Sequence, residues 1–534
     1  MLDAHPLTKV EPKRERWKFW QKLDPLKLTK SLPLSAMRIR SLLAKPFAAY
    51  IAKQTAEWSS KPVEYQQQTF NYLVKEAGET QFGKDHGFAE IKSHADFIKQ
   101  VPVRDYEALK PYVERVLDGE ENILWKGKPA YFAKTSGTTS GTKYIPITKE
   151  SIPNHINSAR NALLSYVHET GNATFLDGGL IFLSGSPELD EKAGIKTGRL
   201  SGIVNHHVPQ YLRSNQKPSY QTNCIEDWEE KLDKIIEETV HADMSLISGI
   251  PPWAQMYFDR IVAKTGKKVK DVFPNFSMFV YGGVNFEPYR AKLFETIGKK
   301  IDSIETYPAS EGFIAYQDGQ RTEGLLLLLN SGIFFEFIPA EEYFSDKPSR
   351  LSIEEVELGK NYAVIINNNA GLWGYSLGDT VKFVSKNPYR IIVSGRIKHF
   401  ISAFGEHVIG EEVEKAMKFT MEKFKEVELV EFTVAPNVTP QEGMPHHEWL
   451  IEFANAPNDL EAFRLELDNQ LRQLNVYYDD LISGNILRTL KISSLNKNAF
   501  IDYMKSQGKL GGQNKVPRLS NDRKIAEALS VFFK

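Results

Sequence analysis

The sequence is poor in cysteine, in long apolar runs and in net charge. Cys224 is the only cysteine among 534 residues, which excludes an intrachain disulfide and a cysteine-based zinc site and favours a reducing, cytoplasmic location. The longest conspicuous apolar run, residues 325–329, is far too short to cross a bilayer. The first residues mix prolines with charges, so no secretory signal is expected. With 67 basic against 68 acidic residues, we expect no attraction of the whole protein to nucleic acid or to an anionic membrane.

Internal repeats and low-complexity tracts are also missing, so the sequence indicates no fibrous or repeat protein. What is present is an ordinary globular composition, with 41% hydrophobic and 25% charged residues. A length of 534 residues predicts about three or four domain-sized units, or one large two-lobed enzyme.

A basic segment, residues 9–30, precedes the main body and contains Trp17, Phe19 and Trp20. Such a pattern can lie on a membrane surface or on a partner protein. Because the segment lacks a long apolar face, we interpret it instead as a solvated arm or as a helix packed on the main body. Residues 1–60 are assigned to this arm and to a helical lead-in.

Hydroxyls, glycines and a lysine are concentrated in residues 133–143. Glycine lets backbone N–H groups approach a polyphosphate, hydroxyls donate to its oxygens, and lysine supplies a positive charge. The spacing differs from a Walker loop, because three residues separate Gly137 from Gly141 and Lys143 comes two positions later. A polar hairpin or loop is the alternative, since these residue types also favour turns. The candidate phosphate-binding residues are Ser136, Gly137, Thr138, Thr139, Ser140, Gly141 and Lys143.

Helices are predicted before this stretch, and alternating strands and helices after it. Residues 63–118 are largely helical in pattern, and residues 151–169 predict a helix with Ser151 as its N-cap. The glycine-rich stretch is therefore not joined directly to a helix N-terminus. Short β-type runs then alternate with helical segments, which indicates α/β layering. The runs are residues 179–184, 245–250 and 278–281, and the helical segments include residues 226–240 and 252–264.

The second half of the chain is richer in strands and ends in a smaller unit. Residues 324–329, a turn at 330–332 and residues 333–338 predict a β-hairpin. Further strands are predicted at residues 362–366, 381–384 and 391–393. After Gly395, helices and paired strands are predicted at residues 411–425, 429–435, 448–453 and 459–474. The predicted fold class is α/β, with a large N-terminal domain of several subdomains that includes this β-rich section, residues 61–396, and a small α+β C-terminal domain, residues 397–534.

Three further clusters supply groups that a nucleotide site needs. Residues 305–311 offer an aromatic face for a base and, in Glu311, a carboxylate for Mg²⁺, which usually binds through one or two carboxylates plus phosphates. Residues 371–379 end in Asp379, a carboxylate able to accept both ribose hydroxyls. The third cluster, residues 394–401 with 405–406, has the pattern G-R-x-K followed by G-E. Each cluster alone has an ordinary explanation as turn glycines, a surface tyrosine or a solvated Arg-x-Lys.

The order of the motifs is more specific than any single one. A glycine-rich hydroxyl loop, Y-x-x-S-E, Y-x-x-G-D and G-R-x-K followed by G-E resembles the adenylate-forming superfamily of acyl-CoA synthetases, luciferases and peptide-synthetase adenylation domains. Within it, the S-G-T-T-S-G loop, residues 307–311 and residues 101–107 look like the acyl-acid amido synthetases of plant auxin and jasmonate conjugation. The resemblance covers roughly residues 60–520. It implies the fold of an adenylate-forming enzyme, with a mobile small C-terminal domain.

The resemblance implies nucleotide-binding roles for the residues that match its motifs. The glycine-rich loop would hold the phosphates of ATP, and Tyr307 would line the adenine, with Ser310 in the same nucleotide-binding motif. Glu311 would bind Mg²⁺. Asp379 would hold the ribose, and Arg396 would contact the nucleotide as well.

The resemblance also implies two functional lysines. Residues 513–518 are similar to the family's Q-x-K-x-P-R segment, which makes Lys515 the candidate catalytic residue. A lysine there would stabilise negative charge during adenylation without any proton transfer. Lys398 falls at the hinge about which the small domain would turn.

Two stretches occupy positions where superfamily members wall the acyl pocket. Residues 250–253 end in Trp253, and the second stretch consists of Gly282, Gly283 and Val284. We expect these residues to contact the acyl substrate, with a packed core turn as the alternative.

The sequence departs from the family pattern at several positions. Ser376 stands where the related motif has arginine, and Lys143 comes one residue earlier than expected. Pro308 and Ala309 occupy the middle of the Y-x-x-S-E cluster. None of these differences removes a group that the chemistry must have.

Adjacent histidines at residues 206–207 and 446–447 are weak candidates for a metal site. Neighbouring histidines cannot easily reach one tetrahedral ion, and the sequence shows no partner cluster. We interpret them as surface or loop histidines.

The expected function is an ATP- and Mg²⁺-dependent ligase with two half-reactions. A small carboxylic acid would attack the α-phosphate, giving an acyl-adenylate and pyrophosphate, and the amine of an amino acid would then displace AMP. An acyl-CoA ligase and a catalytically idle nucleotide-binding protein of the same fold are the alternatives. The identity of the acid and of the amine, and the oligomeric state, stay open at this point.

Overall fold

The structure, a computed structural model, describes residues 38–138, 141–208, 213–283, 286–397, 400–401, 403–406, 408–507 and 516–534. The α-helices, in chain order, are α1 Arg38–Ser59, α2 Pro62–Ala77, α3 Gln81–Asp85, α4 His94–Gln100, α5 Tyr106–Leu117, α6 Ile152–Thr170, α7 Leu200–His206, α8 Tyr220–Asn223, α9 Trp228–Thr239, α10 Pro251–Thr265, α11 Val269–Val272, α12 Glu287–Ile297, α13 Gly410–Lys423, α14 Leu460–Leu474, α15 Val476–Ser483, α16 Ala499–Ser506 and α17 Lys524–Leu529. Short 3-10 helices lie at Phe88–Glu90, Thr174–Leu176, Ala340–Glu342 and Ser530–Phe532. No described helix is both long and apolar enough to cross a membrane.

The strands form one large mixed sheet and smaller ones. They are β1 Tyr131–Thr138, β2 Gly141–Ile147, β3 Gly179–Phe182, β4 Asp190–Lys192, β5 Ile195–Gly198, β6 Gln216–Lys217, β7 Met244–Ser248, β8 Met278–Gly282, β9 Asp302–Ala309, β10 Gly312–Tyr316, β11 Leu325–Leu327, β12 Ile333–Pro339, β13 Asn361–Asn368, β14 Tyr375–Lys386, β15 Tyr389–Arg396, β16 Phe400–Ile401, β17 Val408–Ile409, β18 Glu428–Asn437, β19 His446–Asn455 and β20 Lys491–Ser494. The large sheet has the order β12-β13-β14-β15-β11-β10-β9-β8-β7-β3-β6.

One half of the large sheet is parallel. Strands β3, β7, β8 and β9 run in the same direction, with Leu246 of β7 between Leu180 and Met278. Parallel neighbours need crossover connections, and α10 and α12 provide them between β7, β8 and β9. This arrangement confirms the α/β layering predicted from alternating short runs. Ligands of such sheets bind outside the carboxyl ends of the strands.

The other half of the sheet is antiparallel. Strands β12 to β15 pair in sequence order, and β11 joins β15 to β10. Strand β12 is buried along its whole length, and the strands predicted at residues 362–366, 381–384 and 391–393 lie within β13, β14 and β15. The β-rich section is therefore confirmed.

The hairpin predicted at residues 324–338 is wrong. Strand β11 pairs with β10 and β15, whereas β12 pairs with β13. The reason is Gln66 of α2, which is 2% exposed. Its amide Nε2 donates to the carbonyls of Leu329 (2.8 Å) and Ile333 (2.9 Å), and its Oε1 accepts the N–H of Phe335 (2.9 Å). A side chain from a distant helix thus satisfies backbone groups beside the turn, and the two strands find other partners.

Helix α6 begins where the sequence predicts, but its cap differs. Ser151 precedes the helix and makes no side-chain cap hydrogen bond to it. Its hydroxyl instead donates to the carbonyl of Thr148 (3.2 Å) and accepts the Thr148 N–H (3.0 Å). Ser151 therefore occupies the predicted N-cap position, but its hydroxyl closes the turn that precedes the helix and does not cap the helix itself.

The chain after β15 forms a smaller α+β unit, as predicted. Strands β18, β19 and β20 form its sheet, and α13 and α14 contribute Val413 and Leu467 to the apolar cluster around Trp449. The unit contacts the large part through α15, where the Tyr477 hydroxyl donates to the carbonyl of Lys134 (3.2 Å). Arg199 and Asp480 form an ion pair across the same contact.

Candidate active site

The Y-x-x-S-E and Y-x-x-G-D motifs meet within the large sheet. Tyr307 lies on β9 and Asp379 on β14, and each is 9% exposed. The Tyr307 hydroxyl donates to Asp379 Oδ2 over 2.5 Å. A short O–H···O⁻ bond of this kind is charge-assisted and fixes both groups. The aromatic ring and the carboxylate predicted for base and ribose are therefore neighbours.

A second phenol holds Glu311. Ser310 and Glu311 form the two-residue turn between β9 and β10, since Ala309 pairs directly with Gly312. The Tyr375 hydroxyl donates to Glu311 Oε1 over 3.1 Å. Burial raises the pKa of Tyr375 well above its ordinary value, and the negative charge of Glu311 adds to the effect. The phenol therefore stays protonated and remains a neutral donor to the carboxylate.

The backbone of the same turn is held by Asn368, which the sequence reasoning missed. Asn368 Nδ2 donates to the carbonyl of Glu311 over 2.7 Å. Its Oδ1 accepts the N–H groups of Ala370 (3.0 Å) and Leu372 (3.1 Å). The signal that could have found it is the run of three asparagines at residues 367–369, a polar run where the chain is buried.

Arg396 comes to the same place in the backbone register. Asp379 of β14 is paired directly with Arg396 of β15, and the N–H of Ile397 donates to the carbonyl of Gly378 over 2.9 Å. Gly378 has a φ of 77°, a left-handed conformation that glycine adopts without strain. Gly378 and Asp379 of β14 therefore lie beside the first residues of the G-R-x-K motif. The Arg396 side chain and Lys398 lie outside what the structure describes.

The glycine-rich stretch is a β-hairpin, not a helix-linked loop. Strands β1 and β2 pair Thr135 with Lys143 and Thr138 with Gly141. This geometry agrees with the absence of Walker spacing. Thr139 and Ser140 lie outside the described residues, and for Ser136, Gly137, Thr138 and Gly141 the description covers the backbone alone. Their phosphate-binding roles stay predictions.

Lys143 lies beside the helix that follows residues 101–105. Its Nζ is 5.6 Å from the centre of the Tyr106 ring, and the Tyr106 hydroxyl accepts the N–H of Tyr144 over 2.9 Å. Burial raises the pKa of Tyr106 to about 12. The phenol therefore stays protonated, and the ammonium group lies within cation–π range of its ring.

Ser376, which replaces the family arginine, has structural partners here. Its hydroxyl accepts from the Tyr343 hydroxyl (2.8 Å) and from the N–H of Gly378 (3.3 Å). Its backbone N–H donates to the carbonyl of Arg104 (2.8 Å), and the Arg104 N–H donates to the carbonyl of Gly374 (2.8 Å). The segment of residues 101–107 and the Y-x-x-G-D motif are thus joined by backbone hydrogen bonds.

The predicted acyl-pocket residues fall in two places. Gly282 and Gly283 end β8, where a Cβ on Gly282 would lie 2.4 Å from the carbonyl oxygen of Thr306. This close approach requires glycine. Trp253 lies in the first turn of α10, with its ring centre 4.7 Å from that of Trp228. Val284 and the catalytic candidate Lys515 lie outside the described residues.

The paired histidines have local structural partners. His206 Nε2 lies 2.8 Å from the carbonyl oxygen of Pro187, and His207 Nε2 lies 3.1 Å from the Tyr131 hydroxyl. His447 Nε2 lies 2.8 Å from Glu406 Oε1, with both side chains buried. The interpretation as surface or loop histidines is therefore wrong for His446 and His447, which are buried at the start of β19. In the part of the chain that the structure describes, no three His, Cys, Asp or Glu side chains gather as a metal site would require.

Three domain models of one family match this chain. They are the GH3 family N-terminal domain at residues 51–224, the central domain at residues 326–396 and the C-terminal domain at residues 411–524. Together they cover more than half of the chain.

Curated relatives match over most of their own length. A jasmonoyl–L-amino acid synthetase JAR4 from Nicotiana attenuata is 24% identical over 71% of this chain and 77% of that protein. A jasmonoyl–L-amino acid synthetase GH3.5 from Oryza sativa subsp. japonica is 23% identical over 86% and 96%. An indole-3-acetic acid-amido synthetase GH3.3 from Arabidopsis thaliana is 21% identical over 87% and 90%. These names agree with the class of ligase predicted from the order of the motifs.

A solved structure has the same fold. The GH3.15 acyl acid amido synthetase in complex with 2,4-DB superposes with a TM-score of 0.58, over 91% of this chain and 96% of that one, at 14% identity. The predicted architecture, a large part followed by a smaller C-terminal unit, is confirmed. By its three matched domains and its fold, the chain belongs to the GH3 family.

Proposed function

We propose that the chain is an ATP-dependent ligase that adenylates a small carboxylic acid and transfers the acyl group to the amine of an amino acid. The observation that carries the proposal is the pair of contacts Tyr307–Asp379 and Tyr375–Glu311. They bring an aromatic ring and two carboxylates together, as a nucleotide with a metal would require. The names of the GH3 relatives support an amide as the product.

These positions support the nucleotide-binding roles that the motifs predict. Tyr307 lines the adenine, with Ser310 in the same motif, and Asp379 accepts the ribose hydroxyls. Arg396, opposite Asp379 in the sheet, contacts the nucleotide. We assign the phosphates to the glycine-rich stretch of the β1–β2 hairpin, because its glycines, its hydroxyl residues and Lys143 suit a polyphosphate.

Glu311 suits Mg²⁺ in this arrangement. Its carboxylate accepts from the neutral Tyr375 phenol, which orients the carboxylate without cancelling its negative charge. Hard carboxylate oxygens are the protein ligands that Mg²⁺ prefers beside phosphates. The ion, when bound, would neutralise negative charge on the transferring phosphate.

The reaction has two steps. In the first, a carboxylate oxygen of the acid attacks the α-phosphorus, the bond to the β-phosphate breaks, and pyrophosphate leaves. Lys515 stabilises the negative charge of this transition state. In the second, the amine nitrogen attacks the acyl carbon, the bond to AMP breaks, and the amine loses a proton.

The small unit turns between the two steps. We assign residues 1–60 to an arm and a helical lead-in, 61–396 to the large domain and 397–534 to the small domain. The basic segment at residues 9–30 lies outside the described residues. The ion pair between Arg199 and Asp480 crosses the contact that such a turn would remake. A cytoplasmic location is supported by the single cysteine.

Product analysis tests the adenylation step. Purified protein is given ATP, Mg²⁺ and a panel of acids and amino acids, and nucleotides are separated by chromatography. We expect AMP and pyrophosphate. Accumulation of ADP and phosphate would overturn adenylation, and no turnover across a broad panel would favour the idle nucleotide-binding alternative.

Competition tests the acceptor. Preformed acyl-adenylate is offered amino acids and coenzyme A together, and mass spectrometry identifies the product. We expect the amide. A thioester without amide would support the acyl-CoA ligase alternative and leave the adenylation step intact.

A further inference from the structure

We propose that Asn368 is a positioning residue for Glu311, and that its side-chain amide sets the metal-binding geometry of that carboxylate. The proposal rests on the proposed function, because it assigns Glu311 to Mg²⁺. Asn368 is not assigned a contact with substrate. It acts through the backbone of Glu311, which it contacts directly.

Asn368 connects two segments that are far apart in sequence. On one side its Nδ2 donates to the Glu311 carbonyl over 2.7 Å. On the other, its Oδ1 accepts from the N–H groups of Ala370 and Leu372. The side chain is 2% exposed, so water competes little for these bonds and each is costly to lose. One amide therefore fixes the hairpin turn against the loop between β13 and β14.

The turn at Glu311 needs such support. A two-residue connection leaves the carbonyl of Glu311 outside the ladder between β9 and β10, which closes at Ala309 and Gly312. A turn that is held only by its own two strands can tilt relative to the rest of the sheet. The Asn368 bond removes that freedom and fixes where the Glu311 side chain starts.

Glu311 is consequently held at two points from the same β13–β14 connection. Asn368 holds its backbone, and the Tyr375 hydroxyl holds its carboxylate Oε1 over 3.1 Å. Tyr375 is itself in register with Ile366, two residues before Asn368. The two contacts therefore keep a fixed position relative to each other. Residues that hold a metal ligand without touching the metal orient that ligand.

The neighbouring asparagine provides a matched control. Asn369 Nδ2 also donates to a backbone carbonyl, that of Glu150, over 3.0 Å. Both residues are buried, at 2% and 8% exposure. Asn368→Asp and Asn369→Asp thus remove the same kind of bond one residue apart, and only the first bond ends at Glu311.

The experiment compares the affinity for ATP with and without Mg²⁺, in the absence of any acid, by isothermal titration calorimetry. The ratio of the two ATP affinities measures how much Mg²⁺ contributes to ATP binding, without turnover. Glu311→Gln should give the smallest ratio and serves as the lower limit. Asn368→Asp keeps Oδ1 as an acceptor and loses the donor to Glu311. We expect it to reduce the Mg²⁺ contribution about tenfold or more, as loss of an outer-shell partner does. Asn369→Asp should change the Mg²⁺ contribution by less than about twofold. Its melting temperature should fall by about as much as that of Asn368→Asp, because each variant loses one buried hydrogen bond.

A second variant and a cycle extend the test. Asn368→Ser places a shorter hydroxyl near the loop amides and loses reach to Glu311, so it should show the same loss if Asn368→Asp fails to fold. Combining Asn368→Asp with Tyr375→Phe should give less than the product of the separate losses, because both act on one carboxylate. An unchanged Mg²⁺ contribution in folded Asn368 variants would overturn the assignment of Asn368 alone. A wild-type protein that gains nothing from Mg²⁺ would overturn the metal-binding role of Glu311 and the assignment with it.

Discussion

Two carboxylates of the large sheet, one fully buried and one half-buried, have opposite surroundings. Glu336 of β12 is fully buried and contacts Arg350 (2.6 Å), His94 (2.8 Å) and Asn367 (2.9 Å). Glu311 lies at the turn after β9, half-buried, and its carboxylate accepts from the neutral Tyr375 hydroxyl. One carboxylate is surrounded by donors that include a permanent cation, and the other is held by a phenol.

The difference distinguishes a carboxylate that contributes to stability from a carboxylate that is available for function. A buried charge must be compensated, and Arg350 with its neighbours compensates Glu336, which is fully buried and so out of reach of a ligand. A phenol orients a carboxylate without cancelling its charge, so Glu311 can still attract a cation. Damage to the Glu336 cluster should therefore reduce stability, and damage at Glu311 should reduce activity.

Arg350→Ala should have the largest effect. The substitution leaves the Glu336 charge buried without its cation and removes the bond to the carbonyl of Val101. Breaking a buried pair in this way typically costs about 3–5 kcal/mol, which urea denaturation would measure. Arg115→Ala is the control, because its pair with Glu120 is solvent-accessible and a surface ion pair contributes little to stability. Equal losses in the two variants would contradict the distinction.

The same cluster predicts a dependence of stability on pH. Burial alone would raise the pKa of Glu336, yet the charge of Arg350 and the hydrogen bond from His94 lower it from 4.5 to about 2. A lowered pKa gives stability that is present above the unfolded value and lost as pH falls towards the folded one, here about 3 kcal/mol.

The double variant Glu336→Gln/Arg350→Met has no such titration and serves as the reference. Between pH 4.5 and about 2, the free energy of unfolding of the wild type should fall by about 3 kcal/mol more than that of the variant. His155, whose pKa burial lowers to about 4, titrates in both proteins and cancels in the difference. Parallel pH profiles would show that Glu336 is not stabilised in its charged form.

The sequence predicts what depends on periodicity and motif order, and misses what depends on single long-range side chains. Tyr307, Glu311 and Asp379 lie in recognisable motifs, and the structure brings them together. The turn at residues 330–332 is also recognisable, but the identity of its flanking partners depends on Gln66, a side chain more than two hundred residues away. No local sequence pattern predicts such a contact.

Ser376 and Asn368 show the same limit within the site. Ser376 departs from the family motif, and only the structure reveals that Tyr343 and Gly378 use its hydroxyl. Asn368 belongs to no motif, and polar residues after a strand are usually turn formers. Its three hydrogen bonds join groups up to 57 residues apart. The outer support of a site is therefore harder to predict than its contacting groups.

Glu311→Gln should show the reverse of the Arg350 result. The amide keeps an oxygen that can accept from Tyr375, so the free energy of unfolding should change by less than about 1 kcal/mol. Loss of a charged group that would hold the metal should lower kcat/KM for adenylation about a hundredfold. Pyrophosphate exchange over a range of Mg²⁺ concentrations measures this effect. A strong loss of stability with normal exchange would reverse the roles assigned to the two carboxylates.

Tyr307→Phe should have the smallest effect. It tests whether Asp379 needs the Tyr307 hydroxyl as a hydrogen-bond donor. The variant keeps the ring that would line the adenine and removes the hydroxyl that donates to Asp379 over 2.5 Å. Asp379 would then be oriented less firmly towards the ribose, which should raise the KM for ATP about three- to tenfold, equivalent to roughly 1 kcal/mol, with little change in kcat. Steady-state kinetics with varied ATP separates the two parameters. A fall in kcat at unchanged KM would place the hydroxyl in the chemical step, and the phenol would then be more than an orienting donor.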